Sequence, residues 1–307
     1  MTILNSEKGG CVNMVNQDKK KHALSKLRRE VPLLPGYLVL TLWSLITLLM
    51  IGWVFCASLS TTAEIFGGKV GTFSSGIHFG NYVKAWSSQN VSKIFMNSLL
   101  YTSISVVVLI FVCAPAAYAL SRYRFPGSGL LQSGLVSAMA VPVAMIILPL
   151  FCMVAQWGLI DNGIKNRLVL IYLYIGINVP YTTIFLMTFF SNLSSEYEDA
   201  AAIDGCGPVK AFWKIMFPLA QPGIITVTIF NFNKIWNEYF LSLIFANSDT
   251  MRPVAVGLFS MINSMKYTGD WAGLFAAVVI VTLPTLVLYL FMSERIISGI
   301  TAGGVKG

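Results

Sequence analysis

The stretch Ser195 to Ile224, SEYEDAAAIDGCGPVKAFWKIMFPLAQPGI, decides how the rest of the 307-residue chain is read. An acidic cluster (Glu196, Glu198, Asp199) opens it, and acids favour a helix N-terminus, where the backbone dipole end is positive. Ala200, Ala201 and Ala202 follow, strong helix formers whose small side chains let another surface approach to backbone distance. Asp204-Gly205 and Gly207 predict a break, and Pro208 suits the first turn of a second helix. In that second segment Val209, Phe212, Trp213 and Met216 recur at i, i+3, i+4 and i+7, which predicts one apolar face. The expectation is two short helices joined by a tight turn, with an exposed knuckle between them.

Working outward, the chain is 56% hydrophobic and only 11% charged, with a mean hydropathy of +0.71. A soluble domain carries roughly 25% charged residues, so this composition predicts an all-α integral membrane protein. Six apolar runs, at 34–59, 96–120, 130–155, 168–190, 223–245 and 271–293, are each long enough to span. The first is too long for a signal-peptide core and reads as an uncleaved helix. The organisation expected is a basic tail (1–33), a first span with an external segment (34–95), a five-helix core (96–293) interrupted by the loop at 195–222, and a tail (294–307). With six spans both termini share one side. That side holds 13 of the 21 Lys and Arg, the opposite loops 7, and Lys234 falls within the fifth run. The positive-inside rule therefore places both termini and the 195–222 loop in the cytoplasm. It also accounts for the net charge of +8 without nucleic acid.

No residues for hydrolytic, redox or metal chemistry stand out, and no catalytic, cofactor or metal site is expected. The five cysteines (Cys11, Cys56, Cys113, Cys152, Cys206) lack C-x-x-C spacing, and His22 and His78 fall in segments on opposite sides. The nearest approach to a phosphate loop, Gly67-Gly68-Lys69-Val70, lacks the first glycine and the hydroxyl residue. Polarity inside the runs is concentrated in the fifth, where Thr228, Asn231, Lys234, Glu238 and Ser242 fall on one helical face. Lys234 and Glu238, four apart, are expected to neutralise each other in part. Asn178, Tyr181 and Thr182 add polar groups to the fourth run, which also holds Pro180. Two readings stay open for these residues: the lining of a wetted path, or hydrogen bonds that hold helices together. Pro142 and Pro149 predict kinks in the third run.

The 195–222 loop resembles the EAA loop of permease subunits of ATP-binding-cassette importers, and among them the maltose-type carbohydrate branch. The resemblance rests on Glu196-Tyr197-Glu198-Asp199-Ala200-Ala201-Ala202-Ile203-Asp204-Gly205-Cys206 and on Phe217-Pro218-Leu219-Ala220-Gln221-Pro222. Asp199 and Cys206 stand where the family pattern has Glu and Ala. Gly80-Asn81-Tyr82 with Trp86, the segment Ala116 to Gly127, Val141-Pro142, Leu148-Pro149-Leu150, Gly158 to Asn162 and Trp236-Asn237-Glu238-Tyr239 are also similar to family segments. The resemblance implies a six-helix type I importer permease fold in a bacterial cell membrane, with no enzymatic activity of its own. It implies cytoplasmic ATPase subunits that engage Glu196, Glu198, Asp199, Ala200, Ala201, Asp204, Gly205 and Pro218. It further implies a second permease subunit in a heterodimer, an external solute-binding protein, surrounding membrane lipid and a sugar substrate. The sugar would pass near Asn178, Tyr181, Asn231, Lys234, Asn237 and Glu238. The rival readings are a glycerol-phosphate, peptide or amino-acid permease, and an ion-coupled secondary transporter. The last would call for paired half-helices or an inverted repeat, which the sequence does not display.

Overall fold

The structure is a computed structural model that describes residues 33–160, 163–246 and 248–304, with side chains for all of these except residue 266 and residues 293–304. The basic tail over 1–32, Asp161-Asn162 and the last three residues lie outside the described residues. Every regular element among the described residues is helical.

The chain divides into two units, Met1–Cys56 and Ala57–Gly307. Helix α1 (Leu34–Ser58) carries the described part of the first. Its 25 residues extend about 37 Å at 1.5 Å per residue, enough for a hydrocarbon core of ~30 Å. Its side chains up to Phe55 are mostly apolar and mostly exposed on all faces, which suits a helix solvated by lipid.

The second unit opens with two short helices, α2 (Thr62–Phe66) and α3 (Gly80–Ser87), the latter where the external helix was expected. Buried Glu64 organises this segment. It forms a capping box with Thr61, and its other oxygen accepts from Ser74 Oγ (2.9 Å), Ser75 N–H (2.9 Å) and Ser75 Oγ (2.8 Å). Hydrogen bonds from the backbone of Thr61 and then of Ser75, with the two serine hydroxyls, hold its pKa down at about 2 against a usual 4.5.

The core is built from α4 (Val91–Arg122) and α7 (Ile164–Ser191), the most extensively packed pair. Cys113, Ala114 and Ala117 on α4 are fully buried against Leu186 and Phe190 of α7, small residues allowing close helix approach. In chain order α5 (Ser128–Met139) and α6 (Val143–Gln156) come between these two helices, and α8 (Glu196–Ile203) and α9 (Pro208–Leu219) follow them. The chain continues through α10 (Gln221–Trp236), α11 (Phe240–Phe245), α12 (Val254–Thr268) and α13 (Trp271–Gly304). Gly223 starts α10 close against α7, where a Cβ would sit 2.5 Å from the Phe189 ring. Trp236, buried at its end, donates from Nε1 to Val281 O of α13 at 3.2 Å.

Four expectations need correcting. The third run is not one continuous helix: α5 and α6 meet at a bend of 102°. Pro142 supplies the reason, since it has no N–H and disfavours helical backbone at Val141; Pro142 itself is extended at φ −64, ψ 128. The fifth run does not reach 245 as one helix. It stops at Trp236, and α11 begins afresh at Phe240. Residues 254–268, outside the six apolar runs, form a helix too, α12, which Pro253 introduces and whose first N–H (Val254) is bound by Ser98 Oγ of α4 at 2.8 Å. The last run continues as helix to Gly304, beyond the expected end at 293.

Candidate functional site

The loop at 195–222 folds as its sequence implies. Glu196, Glu198 and Asp199 occupy the first turn of α8, and Pro208 opens α9. The turn between them needs Gly205, whose φ of +72 lies in the left-handed region that a Cβ disfavours. Glu196, Asp199, Ala200, Asp204, Gly205 and Pro218 are exposed, whereas Ala201 is buried against the body. At the knuckle two large apolar side chains stand in the open, Ile203 at 87% and Val209 at 73% exposure.

Here the predicted apolar face of α9 divides. Phe212 and Met216 are buried, but Val209 and Trp213 are exposed. Residues Phe212–Met216 form a wide π turn, which breaks the 3.6-residue period on which a single face depends. Phe212 packs with Tyr118 (centroids 5.0 Å apart) and Phe190 (6.1 Å), and these two touch each other at 5.6 Å. The knuckle thus rests on a triangle of rings contributed by α4, α7 and α9.

Glu198 ties the same elements together by charge. Its Oε1 accepts from the Tyr118 hydroxyl at 2.6 Å, and its Oε2 lies 3.4 Å from Arg122 Nε, in ion-pair range. Arg122 also donates to Leu193 O at 2.6 Å, just before α8. One carboxylate of the acidic triplet therefore turns inward as a clasp onto α4, while Glu196 and Asp199 face out. Tyr118 and Arg122 were missed by sequence reasoning as partners of this loop, because the pairing spans 80 residues of chain. The available signal was only that both close the second apolar run.

The polar residues of the fourth and fifth runs separate into two groups. Asn178 and Asn231 are buried and belong to a hydrogen-bonded series. Asn231 Nδ2 donates to Thr182 Oγ1 (2.9 Å), Thr182 Oγ1 to Asn178 O (2.7 Å), and Asn178 Nδ2 to Tyr174 O (2.7 Å). Tyr174 OH meets Ser242 Oγ, which in turn donates to Glu238 Oε2 at 2.9 Å. This series joins α7, α10 and α11 across the core.

Glu238 departs from the expected pairing. Its carboxylate accepts from the N–H groups of Leu241 (2.8 Å) and Ser242 (3.0 Å), capping α11. It does not neutralise Lys234, because the helix ends at Trp236 and the i, i+4 relation is lost. Among the described residues the ion pairs are Lys84–Asp270, Arg122–Glu198 and Arg252–Asp249, and Lys234 is in none of them.

Tyr181 and Lys234 come together elsewhere, on the wall of a cavity of ≈ 390 Å³. The bend between α5 and α6 forms its other side, with Met139, Val141 and Ile146 facing Ile177. Lys234 is exposed there, as are its neighbours Asn233 and Asn237, which bond each other (Nδ2 to Oδ1, 3.0 Å). Of the six residues expected along a path, Tyr181 and Lys234 share this cavity, Asn237 is exposed nearby in sequence, and Asn178, Asn231 and Glu238 lie in the buried series.

Comparison with known proteins agrees with this architecture. The chain is 33% identical over 270 residues to a diacetylchitobiose uptake system permease of Streptomyces coelicolor, covering 87% of each chain. It is 30% identical to a trehalose transport system permease of Mycobacterium tuberculosis, over 87% of this chain and 98% of that one. A sulfoquinovosyl glycerol transport system permease of Agrobacterium fabrum is 30% identical over 83% of this chain and 87% of its own length. In fold it is similar to a chain of a bacterial ABC transporter involved in the import of the acidic polysaccharide alginate. That match has a TM-score of 0.71 at 23% identity and covers 84% of this chain and 94% of the other. Residues 114–298, from the middle of α4 into α13, match the family profile directly, and the chain belongs to the family of binding-protein-dependent transport system inner membrane components.

Proposed function

We propose that this chain is the permease subunit of an ATP-driven carbohydrate importer. An external binding protein delivers the sugar, a second permease completes the path, and separate cytoplasmic ATPase subunits supply the energy through the knuckle at Glu196–Val209. The observation that carries the reading is the clasp. An exposed knuckle with two open apolar side chains is tied by Glu198 to Tyr118 and Arg122 at the end of α4. A force applied there reaches α4 and α7 through the carboxylate and the ring triangle, and α7 contributes Tyr181 to the cavity wall. The carbohydrate part of the reading is supported by the relatives' sugar-named systems. The cytoplasmic side of the termini and knuckle is supported by the Lys and Arg bias. The test is uptake of labelled sugar into vesicles holding the assembled complex with binding protein. Uptake should require ATP on the knuckle side and survive collapse of ion gradients. Uptake by this chain alone, driven by an ion gradient, would overturn the proposal.

A further inference from the structure

We infer that the cavity at the α5–α6 bend receives an anionic group of the substrate, so that the transported carbohydrate is an acidic one, with a carboxylate or sulfonate held by Lys234. The inference rests on the proposed reading of this cavity as part of a carbohydrate path, and names the substrate class for it.

The argument starts from charge. Among the residues that line the cavity Lys234 is the charged one, and the rest are apolar apart from the phenol of Tyr181. The acid nearest in sequence, Glu238, already accepts from two backbone N–H groups and the Ser242 hydroxyl at the start of α11. The carboxylate that could have balanced the ammonium is thus committed elsewhere, and the wall carries a net positive charge. An ammonium within a span is costly unless it faces water or meets an anion, and Lys234 opens onto the cavity, where an anion can reach it.

The second step is geometry. A volume of ≈ 390 Å³ lies within the range of about 300–1,000 Å³ usual for small-molecule clefts. Tyr181 adds a phenol to otherwise apolar walls, a mixture of ring and hydroxyl that suits a sugar. A neutral sugar would leave the ammonium with hydroxyl partners alone. A uronate or sulfonated sugar would supply a charge-assisted hydrogen bond in a site of reduced dielectric, where such bonds are strong. A cationic solute would be repelled.

The test uses the purified complex of this chain with its partner permease and ATPase subunits, in neutral detergent. Its thermal midpoint is read against matched pairs of disaccharides, uronic and neutral, built on galactose, glucose and mannose, with sodium sulfate as a third arm at equal ionic strength. For at least one pair, the uronic form should raise the midpoint at a concentration at least tenfold lower than its neutral counterpart, and sulfate should not reproduce it. Lys234→Gln should erase the difference within the pair, and Lys234→Arg should restore it. Equal responses to both members of every pair overturn the acidic-substrate inference and leave the carbohydrate reading standing. No response to any sugar removes both. A response to sulfate equal to that of the uronate marks a site for small anions or lipid headgroups and overturns the inference. If Lys234→Gln lowers the yield of assembled complex and Lys234→Arg rescues it, the ammonium pairs with a carboxylate of the second permease, which also overturns it.

Discussion

Glu198 is the residue at which the knuckle is fastened to the membrane helices, and its two oxygens have separable jobs. One accepts from Tyr118, and the other faces Arg122. A hydrogen bond to a charged group contributes roughly 1.5–3 kcal/mol, and a partly exposed ion pair less, because water screens it. Tyr118→Phe keeps the ring triangle and removes only the hydroxyl. Amide hydrogen exchange over Glu196–Ile203 should then quicken, and sugar-stimulated ATPase activity of the assembled complex should fall several-fold while basal hydrolysis persists. Unchanged exchange would show that the rings alone hold the knuckle. Glu64 gives a second residue-scale expectation. Its pKa is about 2 in the folded protein and 4.5 ordinarily, so its contribution is complete above pH 4.5 and is lost as pH falls toward 2. Limited proteolysis of the segment 59–80 should therefore accelerate as pH drops across that window, with an acid-tolerant protease. Glu64→Gln should be cut faster at neutral pH and show a flatter pH dependence.

At the scale of elements, Gly205 carries the turn between α8 and α9. A β-branched residue at φ +72 costs about 1–3 kcal/mol of backbone strain. No atom outside its own neighbours stands near the added Cβ, so the chain itself has room for it. Gly205→Val is thus expected to insert and assemble in near-normal amount but to lose most ATP-coupled transport, which immunoblotting and uptake would measure together. Gly223→Ala makes the opposite contrast, since its Cβ would strike Phe189 and lower the thermal midpoint through overpacking of about 1–3 kcal/mol. The sequence made much of this level readable. The acid–alanine–glycine–proline order of 195–208 is local chemistry, and it folds as two helices and a turn. Long apolar runs at 34–59, 96–120 and 168–190 likewise became helices of span length. What escaped was non-local or conditional. A Pro142 kink and a Pro142 break look alike in sequence, and here the backbone broke through 102°. Lys234 and Glu238 are four apart in number, but Trp236 ends the helix between them. The Tyr118–Glu198 contact joins residues that no periodicity connects.

For the whole molecule, the decisive variable is which side of the membrane holds the knuckle. The charge bias of Lys and Arg supports the cytoplasmic side, and the proposed coupling to an ATPase requires that same side. Cys206 tests both at once. It lies in the turn, half-exposed, one residue after Gly205, and its backbone N–H donates to Ala201 O at 2.8 Å. The other described cysteines provide the controls: Cys113 is fully buried in the core, and Cys56 and Cys152 lie in apolar helices. In inside-out vesicles a membrane-impermeant thiol reagent should label Cys206, and in right-side-out vesicles it should not. Adding the ATPase subunits should then slow labelling at least several-fold, because a partner seated over Ile203 and Val209 would cover the turn between them. Replacing Ile203 with Asp should restore labelling in the presence of those subunits, since a carboxylate at an apolar contact is costly to bury unpaired. Labelling from the outer face alone would invert the topology and remove the knuckle from the reach of ATP-driven subunits. Labelling from the cytoplasmic face without protection would keep the topology and place the docking surface elsewhere on the chain.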